Sequence, residues 1–146
     1  MKQRKLWMLA MIMILFTMAC GNGDRKEQSA QAEKLLENAQ KAKEYEKLLQ
    51  LADSLEKTGE LTAEKAYYWL GYASDRLNKK RMAEFYWKAS LEAAAKEGKS
   101  ADMDAFAKSA SRLANLLTVR GDYEGGLKVA IPAAAKIEEL ECDSIS

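Results

Sequence analysis

The sequence contains no histidine and only one proline and two cysteines among its 146 residues. Histidine is the commonest protein ligand for metals and the side chain best suited to proton transfer near neutral pH. Its absence removes the usual parts of a zinc site or of an imidazole-dependent enzyme. The eight glycines form no phosphate-binding loop either. We therefore expect neither a cofactor nor a metal.

Residues that favour β-strands are also scarce. Val, Ile and Thr together number 11, whereas Ala and Leu number 24 and 18. Ala and Leu are strong helix formers, and the β-branched residues are the ones that strands favour. A chain of this length suffices for one domain with a core. The composition therefore predicts a single all-α domain.

Residues 1–19 have the organisation of a secretory signal peptide. Lys2, Arg4 and Lys5 precede an uncharged, mostly apolar run over residues 6–19. At about 1.5 Å per residue this run is too short to span a hydrocarbon core of about 30 Å. We expect it to direct export and to take no part in the folded domain.

The end of this run, Thr17-Met18-Ala19-Cys20, resembles a bacterial lipoprotein signal, although Thr17 stands where Leu is usual. The resemblance implies cleavage before Cys20, acyl chains on that residue that anchor the protein to a membrane, and a polar tether over residues 20–28. The alternative is an ordinary cleaved signal or an uncleaved anchor. In either case we expect the rest of the chain outside the cytoplasm, and the lipoprotein resemblance implies the bacterial cell envelope, facing the periplasm or the cell surface.

The charge of the mature chain is nearly balanced. Removal of residues 1–19 takes away three basic residues and leaves 20 basic against 22 acidic side chains. Such a surface lacks the positive footprint that nucleic-acid binding requires, so we expect no nucleic-acid partner. If Cys20 is acylated, Cys142 has no partner within the chain, which indicates intermolecular pairing or a longer natural chain.

Apolar and small residues recur three and four positions apart over residues 29–140, and this spacing predicts amphipathic helices. Breaks rich in Gly, Asn and Lys divide the region into six helices. These helices cover residues 29–42, 44–57, 63–77, 80–97, 102–119 and 122–140, followed by a C-terminal tail over 141–146. The boundary near Lys43 contains no Gly or Pro, so the first two segments could form one helix. Pro132 should bend the last helix or delay its start.

Two segments related by a shift of 43 residues share one spacing of leucine and small residues. Tyr67, Leu70-Gly71, Ala83, Trp87 and Ser90 correspond to Ala110, Leu113-Ala114, Gly126, Ala130 and Ala133. This spacing resembles the tetratricopeptide repeat. The resemblance implies antiparallel helix pairs stacked as a short right-handed α-solenoid of about three repeats over residues 29–140, with a close approach of two helices at Gly71 and Ala83. The alternative is an ordinary helical bundle.

The run from Lys65 to Arg76 is also similar to the repeat regions at the front of Bacteroidetes envelope sensor kinases and regulators. This likeness implies an alternative function. The chain would then be the N-terminal sensory region of a larger membrane signalling protein, such as a sensor histidine kinase or a transcriptional regulator.

In the tetratricopeptide family the first helix of each pair lines a concave groove that binds proteins or peptides. The family positions map here onto Lys65, Tyr68, Tyr72, Asp75 and Arg76, onto Lys108, Ser111, Asn115, Thr118 and Val119, and in the first repeat onto Glu33, Glu37, Gln40 and Lys41. The nine candidate groove residues are the first eight of these together with Arg112. The alternative is a solvated face with two half-buried tyrosines. Lys108 and Arg112 resemble half of the family's carboxylate clamp. Acidic side chains stand where the other half would be, which disfavours a clamp.

Two further expectations concern catalysis and assembly. The only candidate catalytic acids are Asp102 with Asp104 and Glu138 with its neighbours, and these are best explained as solvated charges, so we expect no enzymatic activity. The last helix carries an apolar stripe with no following helix to cover it. We therefore expect self-association at this stripe or a longer array. The stripe consists of Leu127, Ile131, Ala134 and Ile137.

Overall fold

The computed structural model describes residues 22–98 and 101–145, with side chains described over 24–98 and 101–139. All regular structure in these residues is α-helical, apart from a single 3₁₀ residue after the fourth helix, which confirms the all-α prediction. The six helices are α1 (Asn22–Lys41), α2 (Tyr45–Lys57), α3 (Ala63–Arg76), α4 (Lys80–Glu97), α5 (Met103–Val119) and α6 (Tyr123–Ile145).

The inner helices agree with the predicted limits to within one residue, but the first and last are longer than predicted. Helix α1 begins at Asn22 instead of near residue 29, so residues 22–28 are helical. The charged and polar side chains of residues 24–28 are exposed, so they tolerate a helix well and give no tertiary reason for it to end. Helix α6 continues to Ile145, so the prediction of a separate tail from residue 141 is wrong for residues 141–145.

Four helices end at a residue whose backbone is in the left-handed conformation. Lys43, Gly59, Asn78 and Gly121 have φ between 58° and 91°, and the residue after each donates its N–H to a carbonyl five positions earlier at 2.8–3.0 Å. This bond closes a Schellman cap and stops the helix. Lys43 adopts the conformation although it is neither Gly nor Asn. The first two segments are therefore separate helices, and the alternative of one long helix is wrong.

Pro132 lies inside α6, which begins at Tyr123, so of the two expected effects of this proline the late start is wrong. A proline removes the hydrogen bond to the carbonyl four residues earlier, here that of Lys128. Both Pro132 and Lys128 are exposed, so water can hydrate the freed carbonyl. The neighbouring Ala133 is buried and holds the helix against α5.

Each helix packs against the next along the chain, and α3 also packs against α5. The buried side chains form three clusters, and each cluster is shared by three consecutive helices. Leu36 and Leu48 lie in the cluster of α1, α2 and α3, Trp87 in that of α3, α4 and α5, and Phe106 in that of α4, α5 and α6. The core is thus distributed along the chain instead of forming one centre.

Gly71 provides the close approach between α3 and α4. A Cβ atom at this position would lie 2.5 Å from Cδ1 and Nε1 of Trp87, so the indole ring occupies the space of the missing side chain. Ala83 is fully buried in the same cluster. The expected close approach is therefore present at Gly71, where the contacting group is the Trp87 ring, and Ala83 is buried beside the same ring's cluster.

A buried chain of hydrogen bonds joins α3, α4 and α5. The Ser109 hydroxyl donates to Ser90 Oγ at 2.8 Å, and the Ser90 hydroxyl donates to the Glu64 carbonyl at 2.8 Å. The Glu64 carboxylate is almost completely buried and accepts the N–H of Asp102 at 3.0 Å. Asp102 in turn caps α5 by accepting the Ala105 N–H at 2.8 Å. These bonds fix the start of α5 against α3.

Candidate binding groove

Helices α3 and α5 lie side by side and run in the same direction. Lys65 contacts Asp102, Tyr68 contacts Lys108, and Tyr72 contacts Arg112, so residue numbers on the two helices rise together. The surface between the two helices contains seven of the nine residues predicted for the groove. Arg76 lies instead over Tyr45 of α2, and Ser111 lines a different groove between α5 and α6.

A row of aromatic rings forms the middle of this surface. Tyr68 lies 5.3 Å from Trp69 and 6.4 Å from Tyr72, and Tyr72 lies 6.5 Å from Tyr45 on α2, all between ring centroids. Edge-to-face and tilted contacts at these distances are favourable for aromatic rings. The row therefore holds its rings in fixed positions while the half-buried Tyr72 and Trp69 still reach the surface.

A cationic side chain lies over three of these rings. Arg76 is 5.3 Å from the ring centre of Tyr45, Arg112 is 5.4 Å from that of Tyr72, and Lys108 Nζ is 5.9 Å from that of Tyr68. Cations at such distances are attracted to the ring face. Arg76 also donates from Nε to the Tyr45 hydroxyl at 3.3 Å.

Burial raises the pKa of Tyr68, and the positive charges of Arg112 and Lys108 offset part of that increase. The hydroxyl therefore remains protonated at neutral pH and can act as a hydrogen-bond donor. The tyrosine row presents neutral polar groups between charged ones.

An acidic cavity of about 140 Å³ lies where α3 and α5 begin. Four carboxylates and two lysines line it together with Tyr68, Trp69 and Ala105. Lys65 forms ion pairs with Glu33 of α1 and, at 3.0 Å, with Asp102. Burial alone would lower the pKa of Lys65, but the hydrogen bonds to both carboxylates raise it above its ordinary value. The remaining cavity residues are Glu37, Asp104 and Lys108.

The second lysine of the acidic cavity is also paired. Lys108 binds Asp104 at 2.5 Å, and this hydrogen bond raises the pKa of Lys108. Asp102 and Asp104, which the sequence offered as candidate catalytic acids, thus each hold a lysine, and Asp102 also caps a helix.

A basic cavity of about 510 Å³ lies at the other end, near the last turns of α3 and α5. Four cationic side chains line it against one carboxylate. Lys80 is paired with Asp75 at 2.6 Å, and Arg120 with Glu84 at 2.7 Å. Arg81 and Arg112 have no carboxylate partner among the described residues. The other lining residues are Trp87, Asn115, Leu116 and Val119.

No protein-family model and no curated protein matches this chain. The tetratricopeptide resemblance therefore rests on the residue pattern itself. Within the described residues no group of three His, Cys, Asp or Glu side chains could hold a metal ion. None of the described helices is long and apolar enough to cross a membrane.

The structure also adds residues that the repeat pattern did not include. Tyr45 comes from α2, and Lys80, Arg81 and Arg120 come from the ends of α4 and α5. The family positions lie on the first helix of each pair, so they omit side chains that reach the groove from a second helix or from a helix end. The cluster Lys79-Lys80-Arg81 is the sequence signal that could have indicated the basic cavity.

Proposed function

We propose that this chain is a lipid-anchored, non-catalytic module of the tetratricopeptide type that binds protein or peptide segments at the bacterial cell envelope. The observation that carries the proposal is the surface between α3 and α5. There, a row of aromatic rings with cations over their faces separates an acidic cavity from a basic one. Tyrosine and arginine are enriched among the residues that dominate protein interfaces.

Three features support a stacked-pair arrangement for this module. Sequential helices pack as neighbours, α3 packs against α5, and each cluster of the core is shared by three consecutive helices. A solenoid of helix pairs distributes its core in this way because each pair buries its apolar side on the next. The corresponding first helices then line one continuous face.

The charge distribution of the groove indicates the class of partner. The lysines of the acidic cavity are already paired, whereas the basic cavity has two guanidinium groups without a carboxylate among the described residues. An unpaired guanidinium is a strong donor to carboxylates. The favoured partner is thus a peptide segment with acidic side chains for the basic cavity and apolar side chains for the tyrosine row. The two ends of the groove lie about 15 Å apart along α3, about ten helical residues.

Peptide binding by the full chain tests this function. A panel of fluorescent twelve-residue peptides, each with two adjacent glutamates next to a leucine, is compared with the same peptides carrying lysines, by fluorescence polarisation. The acidic set should bind and the basic set should not. Arg112→Glu should weaken binding by at least about tenfold, because a charged hydrogen bond contributes about 1.5–3 kcal/mol.

Lys34→Glu is the matched control for that experiment. Lys34 is exposed on α1 and lies outside both cavities, and the substitution changes the net charge by the same amount. It should leave peptide affinity within about twofold of the wild type. Equal loss in both variants, or equal binding of acidic and basic peptides, would show that the groove does not select its ligand by charge.

Anchoring through Cys20 is the second part of the proposal, and it concerns a residue outside the described ones. Helix α1 begins two residues after Cys20, so an acylated Cys20 would hold the folded domain close to the membrane surface. Two or more acyl chains on this residue would suffice for stable attachment to the membrane.

Replacement of Cys20 by serine should release the protein from the membrane fraction or leave residues 1–19 uncleaved. Cys142→Ser is the matched control, because it removes the other thiol of the chain and should fractionate like the wild type. Fractionation with mass spectrometry of the mature N-terminus makes the measurement. A Cys20→Ser protein that is cleaved and membrane-bound as usual would contradict acylation at this residue.

A further inference from the structure

Helices α5 and α6 leave an uncovered apolar groove of about 300 Å³ at the C-terminal end of the helical array. Six alanines line it, with Ser111 and Ile137. Leu127 and Ile131 lie on the same stripe of α6 and are 58% and 63% exposed. Three of the seven large apolar side chains exposed in the described residues lie on α6, namely Tyr123, Leu127 and Ile131. Apolar exposure is thus concentrated at this end.

The pair of helices α3 and α4 precedes the pair α5 and α6, and a shift of 43 residues relates the two pairs. The equivalent surface of the preceding pair therefore shows what can cover the groove. Gly71, Trp87 and Ser90 correspond to Ala114, Ala130 and Ala133 of the groove. In the preceding pair this surface is covered by α5, since Trp87 packs with α5 residues and the Ser90 hydroxyl accepts the Ser109 hydroxyl of α5. The alanine-lined groove therefore has the form of a helix-binding surface without its helix.

The rim of the groove is more apolar than the equivalent surface of the preceding pair, and this favours a partner there. Leu127 and Ile131 correspond to Glu84 and Lys88, which form ion pairs in the preceding pair. At the open end two charged residues are thus replaced by leucine and isoleucine. A terminal surface facing only water would gain nothing from this replacement, because exposed apolar area is unfavourable in water.

We propose that a second copy of this chain covers the groove, with the two α6 helices packed antiparallel about a two-fold axis. The protruding Leu127 and Ile131 and the shallow alanine-lined groove lie on one surface, so the surface is complementary to itself, as a two-fold interface requires. Antiparallel packing also brings Lys128 of each copy towards Glu138 and Glu139 of the other.

The opposite end of the array does not offer a matching surface. On α1, Leu35 is the only large apolar side chain exposed among the described residues, and its neighbours on the outer face are polar or charged. Head-to-tail stacking would place the apolar groove on this polar surface. The two-fold arrangement instead buries the apolar groove of each copy against that of the other.

The size of the surface is adequate for a stable dimer. Helix α6 has 23 residues and is therefore about 35 Å long. Residues 123–139, whose side chains are described, span about 25 Å of it, and with the adjacent edge of α5 they offer a face about 20 Å wide. The resulting area of about 500 Å² per copy, or about 1,000 Å² in total, reaches the lower bound for a stable interface.

Cysteine cross-linking of the full chain in cell membranes tests the dimer. Ile131→Cys is introduced together with Cys142→Ser, and oxidation should produce a disulfide-linked species of twice the monomer mass. Gln31→Cys in the same background is the matched control, because Gln31 is exposed at the other end of the array. It should remain uncross-linked, as should the Cys142→Ser parent, which reports any contribution from Cys20.

A charged substitution on the apolar stripe of α6 is the second test of the dimer. Leu127→Glu should reduce the Ile131→Cys cross-link at least tenfold, whereas Leu35→Glu, the same change at an exposed leucine of α1, should leave it unchanged. Because both sites are exposed, both variants should stay folded, and circular dichroism verifies this. The proposal is overturned if Ile131→Cys stays monomeric, if it cross-links only to a different protein, or if Leu127→Glu has no effect.

Discussion

Replacement of Trp87 by alanine should lower the free energy of unfolding by about 3–5 kcal/mol. Trp87 is 1% exposed and lies in the cluster that joins α3, α4 and α5. Its indole fills the space beside Gly71, which has no side chain that could move into the cavity left behind. The Nε1 atom has no hydrogen-bond partner among the described residues, so the loss is one of packing.

Phe85→Ala is the matched control for Trp87→Ala. Phe85 is an aromatic residue two positions away on the same helix, but it is 65% exposed. Its replacement should change the free energy of unfolding by less than about 1 kcal/mol. Urea denaturation followed by circular dichroism measures both variants. Comparable losses in the two proteins would mean that α4 turns a different face towards the core.

Replacement of Leu36 by alanine should cost about 2–5 kcal/mol, whereas the same change at the adjacent Leu35 should cost less than about 1 kcal/mol. Leu36 is fully buried in the cluster of α1, α2 and α3, and Leu35 is 51% exposed. The two substitutions remove the same atoms from neighbouring positions of one helix. Their difference therefore reports burial alone.

The Leu36 variant also reports how cooperative the array is. Because each cluster involves only three consecutive helices, loss of Leu36 should loosen α1 and α2 more than α5 and α6. Hydrogen exchange of the backbone amides would show this gradient as faster exchange in residues 24–57. Uniform acceleration along the whole chain would indicate one cooperative unit, and equal effects of Leu35→Ala and Leu36→Ala would contradict the packing of α1.

The helix positions could be predicted well from the sequence, because the apolar stripe of each helix and the residues that end it are local features. The three- and four-residue spacing marks the buried face, and Gly59, Asn78 and Gly121 supply the left-handed caps. Lys43 gave no such signal, because a lysine adopts this conformation only when the packing of the helices on each side stabilises it. The start of α1 was missed because residues 24–28 are exposed and carry no apolar periodicity.

Part of the candidate groove also followed from repeat spacing. Tyr68, Tyr72, Lys108 and Arg112 come together as the family positions implied. Ser111 does not join them, because successive helix residues are rotated by about 100°, which turns Ser111 away from α3 and towards α6.

The sequence by itself determined the all-α class, the approximate limits of the inner helices and the small residue at the contact with Trp87, because these depend on periodicity and on local backbone preferences. Only the tertiary structure decided which side chains meet. The pairing of Lys65 with both Glu33 and Asp102, and the separation of the groove into an acidic and a basic end, join residues more than thirty positions apart. Such contacts depend on how helices are placed in space, which no local pattern encodes.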